Sequence, residues 1–341
     1  MSTYTPIIHP WNHEIWQHLT SDHERSNHAL LFLGGTGLGK RALSFSFAHH
    51  LLCSNHSQSE SLFNAGSHPD LHILMPEVLI EDNLEGTYAN RYIEAHSGKP
   101  KKDITINQIR LLTSKITTHP HISSHRMILI HSAESMNQNA ANALLKNLED
   151  PPQNTLFILV ADEASALPKT IVSRCSIIAF RPGELDKSKE WLQTQNIIPE
   201  NEIDNYLAMS INHPLMAIDY FQSDYIGTLK SVFTDVNNLW SRRSGAVQVA
   251  KNWHSVGGLQ CVEILQKLTA DLIRSSLSES PKVLFFPKQQ PWVQSSSAKL
   301  SRTGLVSMID ELGEAKKLLS TTVDELLVLE TVSNKFRQLT V

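Results

Sequence analysis

Ala29 to Arg41 reads ALLFLGGTGLGKR: five apolar residues, a turn with glycines at 34, 35, 37 and 39, then Lys40 and the start of an apolar-patterned run. A buried strand that feeds a glycine-rich turn and then a helix is the setting of a phosphate-binding loop. Gly34, Gly39 and Lys40 stand at the G-x4-G-K positions. The glycines let successive backbone N–H groups point inward at an anion, the helix N-terminus adds its dipole, and the lysine reaches the outer phosphates.

On either side of this stretch, short apolar runs alternate with helix-like segments, which predicts an α/β fold with a parallel sheet. The expected strands are Ala29–Leu33, Leu71–Met75, Met127–Ile130, Leu156–Val160 and Ile177–Phe180. Four are almost continuously apolar, as strands covered by helices on both faces are. Glu77 to Lys102 is polar and holds Gly86, Gly98 and Pro100, so it reads as a long loop or insertion projecting from the surface. After it, Ile106, Ile109, Leu112 and Ile116 share one helical face behind Asn107 as cap, and Pro120 ends the segment. Beyond Pro182 the strand signal stops. Glu184–Gln195, Glu202–Ser210 and Pro214–Gln222 read as three short helices, and from Tyr225 amphipathic helices dominate: Gly258–Leu277, Leu305–Leu319 and Val323–Leu339. Ser278–Ser297, with three prolines, reads as an irregular connection whose Phe285, Phe286 and Trp292 are either an interface anchor or a satellite core. The chain thus divides into three domains, at 1–182, 183–223 and 224–341.

Length and composition agree. A chain of 341 residues exceeds the ~150 usual for one domain. With 41% apolar and 19% charged residues it is globular, neither collagenous nor disordered. A formal charge of -4 supplies no global field for nucleic acid or anionic membrane. Cys53, Cys175 and Cys261 are too few and too scattered for a disulfide framework or a cysteine metal quartet, which fits a reducing cytosol. The N-terminal stretch lacks the basic end and apolar core of a secretory signal, and no apolar run reaches the ~20 residues of a membrane span. His119, His121, His125 and His131 lie close in sequence, but without a nearby cysteine they read as surface and loop histidines.

The residues around the phosphate-loop positions argue against hydrolysis. A working loop follows its lysine with a Ser or Thr that ligates Mg²⁺, and this chain has Arg41, whose guanidinium cannot coordinate a metal. Phosphate-loop ATPases carry an Asp–Glu pair after the strand Arg126–Ile130, and here those positions hold His131 and Ser132, a poor Mg²⁺ ligand and a poor base. Asp162 and Glu163 follow the next strand and read as solvated loop acids. The pattern allows weak metal-free nucleotide binding at most, and no intrinsic ATPase is expected.

One long segment makes the relationship specific. NAANALLKNLEDPPQNTLFILVADEASALPKTIVSRC, Asn139 to Cys175, resembles the segment of bacterial clamp-loader subunits of the AAA+ superfamily that ends in the Ser-Arg-Cys motif. HPD at His68–Asp70 and ITINQIRLL at Ile104–Leu112 are similar too. The resemblance covers about residues 25 to 182 and implies a degenerate AAA+ domain, then a small helical lid and an all-helical collar. Arg41, His131 with Ser132, and Leu215 where the motor subunits carry a nucleotide-touching arginine, all match the non-hydrolysing delta-prime branch of that family. The competing readings are an ATP-hydrolysing gamma/tau-type motor, a stand-alone phosphate-loop enzyme and a DNA-binding AAA+ adaptor.

The resemblance implies a role for Arg174 of Ser173-Arg174-Cys175: an arginine finger, supplied in trans to a neighbour's ATP site. It implies gamma/tau and delta subunits as partners in a hetero-pentameric ring, sliding clamp and primed DNA reached through that complex, a cytoplasmic location, and a part in DNA replication as an accessory subunit of the polymerase holoenzyme. Leu326, Leu327, Leu329 and Val332 would form an apolar stripe buried in the collar. Relatives often bind a structural zinc through four cysteines in the loop after the first helix. Only Cys53 stands there, so the zinc site is expected to be lost and Cys53 to be an ordinary buried thiol.

Overall fold

The computed structural model describes residues 3–21, 28–54, 57–94, 98–278, 281, 283–319 and 323–339. These fall into two compact units, Met1–Ser188 and Lys189–Val341.

The first unit is built on five parallel strands: β1 (Ala29–Leu33), β2 (Leu71–Leu74), β3 (Arg126–Ile130), β4 (Thr155–Ala161) and β5 (Ser176–Ala179), in the order β2-β3-β4-β1-β5. β1 lies between β4 and β5, with Leu31 opposite both Leu159 and Ile177. Alternation along the strands feeds two cores. Leu31, Ile128, Ile130, Phe157 and Leu159 point to one face, and Leu30, Phe32, Ile73, Leu129 and Ile158 to the other. β5 is an edge, so its outward Ile177 is half exposed. α1 (His13–Thr20), α2 (Lys40–Cys53), α3 (Ser57–Asn64), α4 (Leu84–Ala89), α5 (Ile106–Lys115), α6 (Gln138–Glu149) and the single turn α7 (Lys169–Val172) complete the unit. α5 is capped not by Asn107 but by Thr105, which forms a capping box with Gln108.

In its described residues, 77–94 and 98–102, the segment from Glu77 to Lys102 is not a projecting loop, and 95–97 lie outside them. It carries α4 and short 3-10 turns at Glu77–Leu79 and Asn90–Tyr92. Tyr88 and Tyr92, one helical turn apart, are fully buried, and Tyr88 Oη donates to the Phe63 carbonyl at 3.0 Å. Two buried aromatic rings outweigh the polar composition that suggested a surface loop. Gly86 makes the return tight, since a Cβ there would sit 1.9 Å from the Glu81 carbonyl oxygen.

α8 (Leu185–Gln195) begins in the first unit and ends in the second, which continues through α9 (Ile203–Met209), α10 (Pro214–Gln222), α11 (Tyr225–Trp240), α12 (Ala246–Val256), α13 (Gly258–Leu277), α14 (Gln290–Ser297), α15 (Arg302–Leu319) and α16 (Glu325–Gln338). α14 and a 3-10 turn at Pro287–Gln289 lie within the segment expected to be irregular. The aromatic cluster there belongs to the core: Phe286 is fully buried, and Trp292 stacks on Trp240 at 5.6 Å. The buried carboxylate of Asp271 holds this return by accepting the N–H groups of Phe285 and Phe286 at 3.0 and 2.9 Å. Leu329 and Val332 are likewise internal to this chain, and of the expected stripe only Leu327 is largely exposed. Among the described residues no helix is long and apolar enough to cross a membrane.

Candidate functional site

In a parallel sheet the carboxyl ends of the strands hold the site, and here β1, β3 and β4 bring the Gly34–Gly39 turn, His131 and Asp162 together. The turn has the backbone of a phosphate loop but spends it on its own chain. Gly39, at φ +79°, caps α2 in the left-handed region, and a Cβ there would meet the His9 ring at 2.5 Å. A Cβ on Gly34, at φ +154°, would lie 2.3 Å from the Phe180 carbonyl oxygen. The N-terminal segment closes over the loop, with Trp11 Nε1 and Asn12 Nδ2 both donating to the Leu38 carbonyl at 3.0 and 2.8 Å.

Lys40 is 5% exposed and already engaged. Its Nζ donates to the carbonyls of Gly34 and Gly35 and pairs with Asp162 Oδ1 at 2.8 Å. Asp162 also accepts from the Thr36 hydroxyl, so it is a structural partner of the loop rather than a free solvated acid. Glu134 lies beside this pair. Burial, with Asp162 nearby, raises its carboxyl above the usual range, and Oε2 is buried with no hydrogen-bond partner among the described residues.

The metal positions are filled by a second cluster. Arg41 Nε donates to Glu85 Oε1 at 2.6 Å, His131 Nδ1 lies 2.5 Å from the same oxygen, and His131 Nε2 lies 2.9 Å from the Ser44 hydroxyl. Burial pushes the Glu85 carboxyl up, but His131 and then Arg41 outweigh it and hold the group below the ordinary glutamate range. Glu85 was not foreseen because it belongs to the segment read as a projecting loop. The two side chains that should ligate Mg²⁺, at 41 and 131, are thus a cation and an imidazole bound to one carboxylate. These residues do not fit a magnesium nucleotide.

Arg174 stands apart, after α7. Its Nη1 donates to the Thr170 carbonyl at 2.9 Å, and its Nη2 pairs with Glu149 at the end of α6. Both partners of this ion pair are open to solvent, at 34% and 52% exposure. Cys175 next to it packs against the sheet core, and burial pushes its thiol up to about 11. Sequence placed Arg174 and the loop on one chain, and the fold gives them separate surroundings.

Comparison with known proteins decides the lineage. A family model described as DNA polymerase III, delta subunit, matches residues 11–184. The DNA polymerase III subunit delta' of Haemophilus influenzae is 30% identical over 251 residues, covering 72% of this chain and 69% of that protein. The chain belongs to the DNA polymerase III delta-prime family. The delta-prime subunit of Pseudomonas aeruginosa is 27% identical over 95% of this chain and 96% of its own length. Among solved structures, a DNA polymerase III gamma subunit-related protein of Thermotoga maritima aligns over 96% of this chain and 98% of that one, at 15% identity and a TM-score of 0.43.

For a delta-prime chain the metal question has a definite form. Among the described residues the group of side chains that could hold an ion is His49, Cys53 and Glu60, without His119, His121, His125 or His131. Two of the three are hydrogen-bonded to each other, His49 Nε2 lying 3.0 Å from Glu60 Oε2. Cys53 is half-buried, and burial together with Glu60 pushes its thiol up to about 12.

Proposed function

We propose that this chain is a clamp-loader subunit that hydrolyses no ATP itself and lends Arg174 to the ATP site of a neighbouring subunit. The observation that carries the reading is the convergence of Arg41 and His131 on Glu85, which uses up both metal-ligand positions while Lys40 is held by Asp162. Such a subunit serves its complex through surfaces rather than turnover. Arg174 suits that role, since it is accessible, planar and permanently charged and can meet charge developing on a transferred phosphoryl group. The partners are gamma/tau and delta subunits in a five-membered ring, and through them the sliding clamp and primed DNA, in the cytoplasm. No metal and no bound nucleotide are required of this chain.

The test is reconstitution with the cognate gamma/tau and delta subunits, with Arg174→Ala in parallel. Expected is co-elution of both forms, with DNA-stimulated ATP turnover falling about 1,000-fold at the site that Arg174 serves. Unchanged turnover at that site overturns the finger, and Mg²⁺-dependent ATPase of the purified chain overturns the non-hydrolysing assignment.

A further inference from the structure

At the β2 edge of the sheet, Pro69, His72, Arg91, Tyr92, Lys115 and His121 line a cavity of about 260 Å³. His72 is the second residue of β2, so the cavity lies toward the amino ends of the strands, opposite the Gly34–Gly39 turn.

His72 is 5% exposed, and its Nδ1 is hydrogen-bonded to the Tyr92 hydroxyl. We assign the phenol as donor. Tyr92 is buried, its pKa is raised by that burial, and Nδ1 is its hydroxyl's partner among the described residues. The reverse assignment would leave both the phenolic proton and Nε2 unpaired. The ring proton then sits on Nε2, which is buried and has no partner among the described residues, in a side chain that lines the cavity. A buried N–H without an acceptor is destabilising, and a ligand oxygen would relieve that.

The surroundings say which ligand. Arg91 lies over the Tyr88 ring at 4.5 Å, and Lys115 Nζ lies 4.7 Å from the Tyr92 ring centroid, in no ion pair among the described residues. Arg126 extends from β3 on the same face as His72, is fully buried and also has an unpartnered Nε. The nearby acid, Asp70, is already committed to the N–H groups of His121, Ile122 and Ser123 at 2.6, 2.8 and 3.0 Å. Burial first, then Arg126, Arg91 and Lys115, pushes His72 down to about 3, so at neutral pH a neutral imidazole sits in a positive field.

We propose that this cavity binds a phosphate-type oxyanion, with His72 Nε2 donating from its floor and Lys115 and Arg91 supplying charge at its rim. Free inorganic phosphate and the terminal phosphate of a nucleic-acid strand present the same chemistry. The site is independent of the arginine-finger reading.

The experiment follows the His72 imidazole ¹⁵N and ¹H signals of the full chain during titration with inorganic phosphate. Parallel titrations use an oligonucleotide with and without a 5′-phosphate, and chloride as control. Expected is a saturable shift with slowed exchange of the Nε2 proton, weakened about tenfold by Lys115→Gln, an exposed position where folding is undisturbed. Saturation by inorganic phosphate identifies a small-anion site; saturation by the phosphorylated strand alone identifies a strand end. No response to any phosphate at about 10 mM, well above the Kd range of a specific site, overturns the proposal. So does a response equal in Lys115→Gln and the parent chain.

Discussion

Arg41 and Glu85 form an ion pair at 2.6 Å, across the position where a working phosphate loop holds its metal. The arginine comes from the first turn of α2 and the glutamate from α4, so the pair ties the loop helix to the segment that folds back on β2. Glu85 is the more enclosed partner, at 14% side-chain exposure against 32%.

Removing that carboxylate should weaken the fold. Glu85→Gln is expected to cost about 3 kcal/mol at neutral pH, because Arg41 and His131 lose their shared acceptor in a largely buried place. Glu85 has a lowered pKa in the folded chain, so its contribution is present above the unfolded value. It is lost as pH falls through the folded value, below the ordinary glutamate range. Urea melts of parent and variant should therefore differ at pH 7 and converge in acid; a constant difference contradicts the assignment.

Asp162→Asn should release Lys40 toward phosphate. Equilibrium dialysis is expected to show ATP binding about tenfold tighter than in the parent chain. The gain should be the same with Mg²⁺ or with chelator, since Arg41 and His131 remain on Glu85. A gain that needs Mg²⁺ would mean a metal site had survived.

Arg174→Ala should leave the isolated chain as stable as the parent, within about 1 kcal/mol, because its pair with Glu149 is a surface pair. Chemical denaturation checks this. A larger loss would make Arg174 a structural residue and count against the proposed finger role.

Gly34→Ala tests whether the loop glycine serves packing. With φ at +154° and a Cβ 2.3 Å from the Phe180 carbonyl, the substitution should cost more than about 2 kcal/mol. A thermal melt of the variant without any nucleotide is the measurement, and an unchanged midpoint counts against the contact.

The thiols should be quiet. Burial leads the rise of Cys53 and Cys261 to about 12 and of Cys175 to about 11. Native protein at pH 8 should react with a disulfide reagent far more slowly than unfolded chain, with rates climbing only toward pH 11. Fast labelling at pH 8 of any one thiol would show a local opening.

Much of the scaffold was legible in sequence because its signals are local. The five strands are apolar runs between turn residues, and each observed strand lies within about one residue of its expected bounds. The helices Gly258–Leu277 and Pro214–Gln222 match residue for residue. Arg41, His131 and Ser132 announced a loop without metal ligands, because the chemistry of a side chain is readable without its neighbours. What replaced the metal was not readable. Glu85 reaches Arg41 and His131 because Tyr88 and Tyr92 bury their rings and turn the stretch from Leu84 to Tyr92 inward. Asp162 looked solvated until the β1–β4 pairing set it beside Lys40, 122 positions away. The cavity at the sheet edge depends on β2, α5 and the 121–123 segment meeting, with Asp70 spent on backbone N–H groups. Sequence alone determined the layers, the strand positions and the missing metal ligands, because propensity and side-chain chemistry act over a few residues. Only the tertiary structure decided which charges meet, because ion pairs between distant segments form where buried apolar surface brings them.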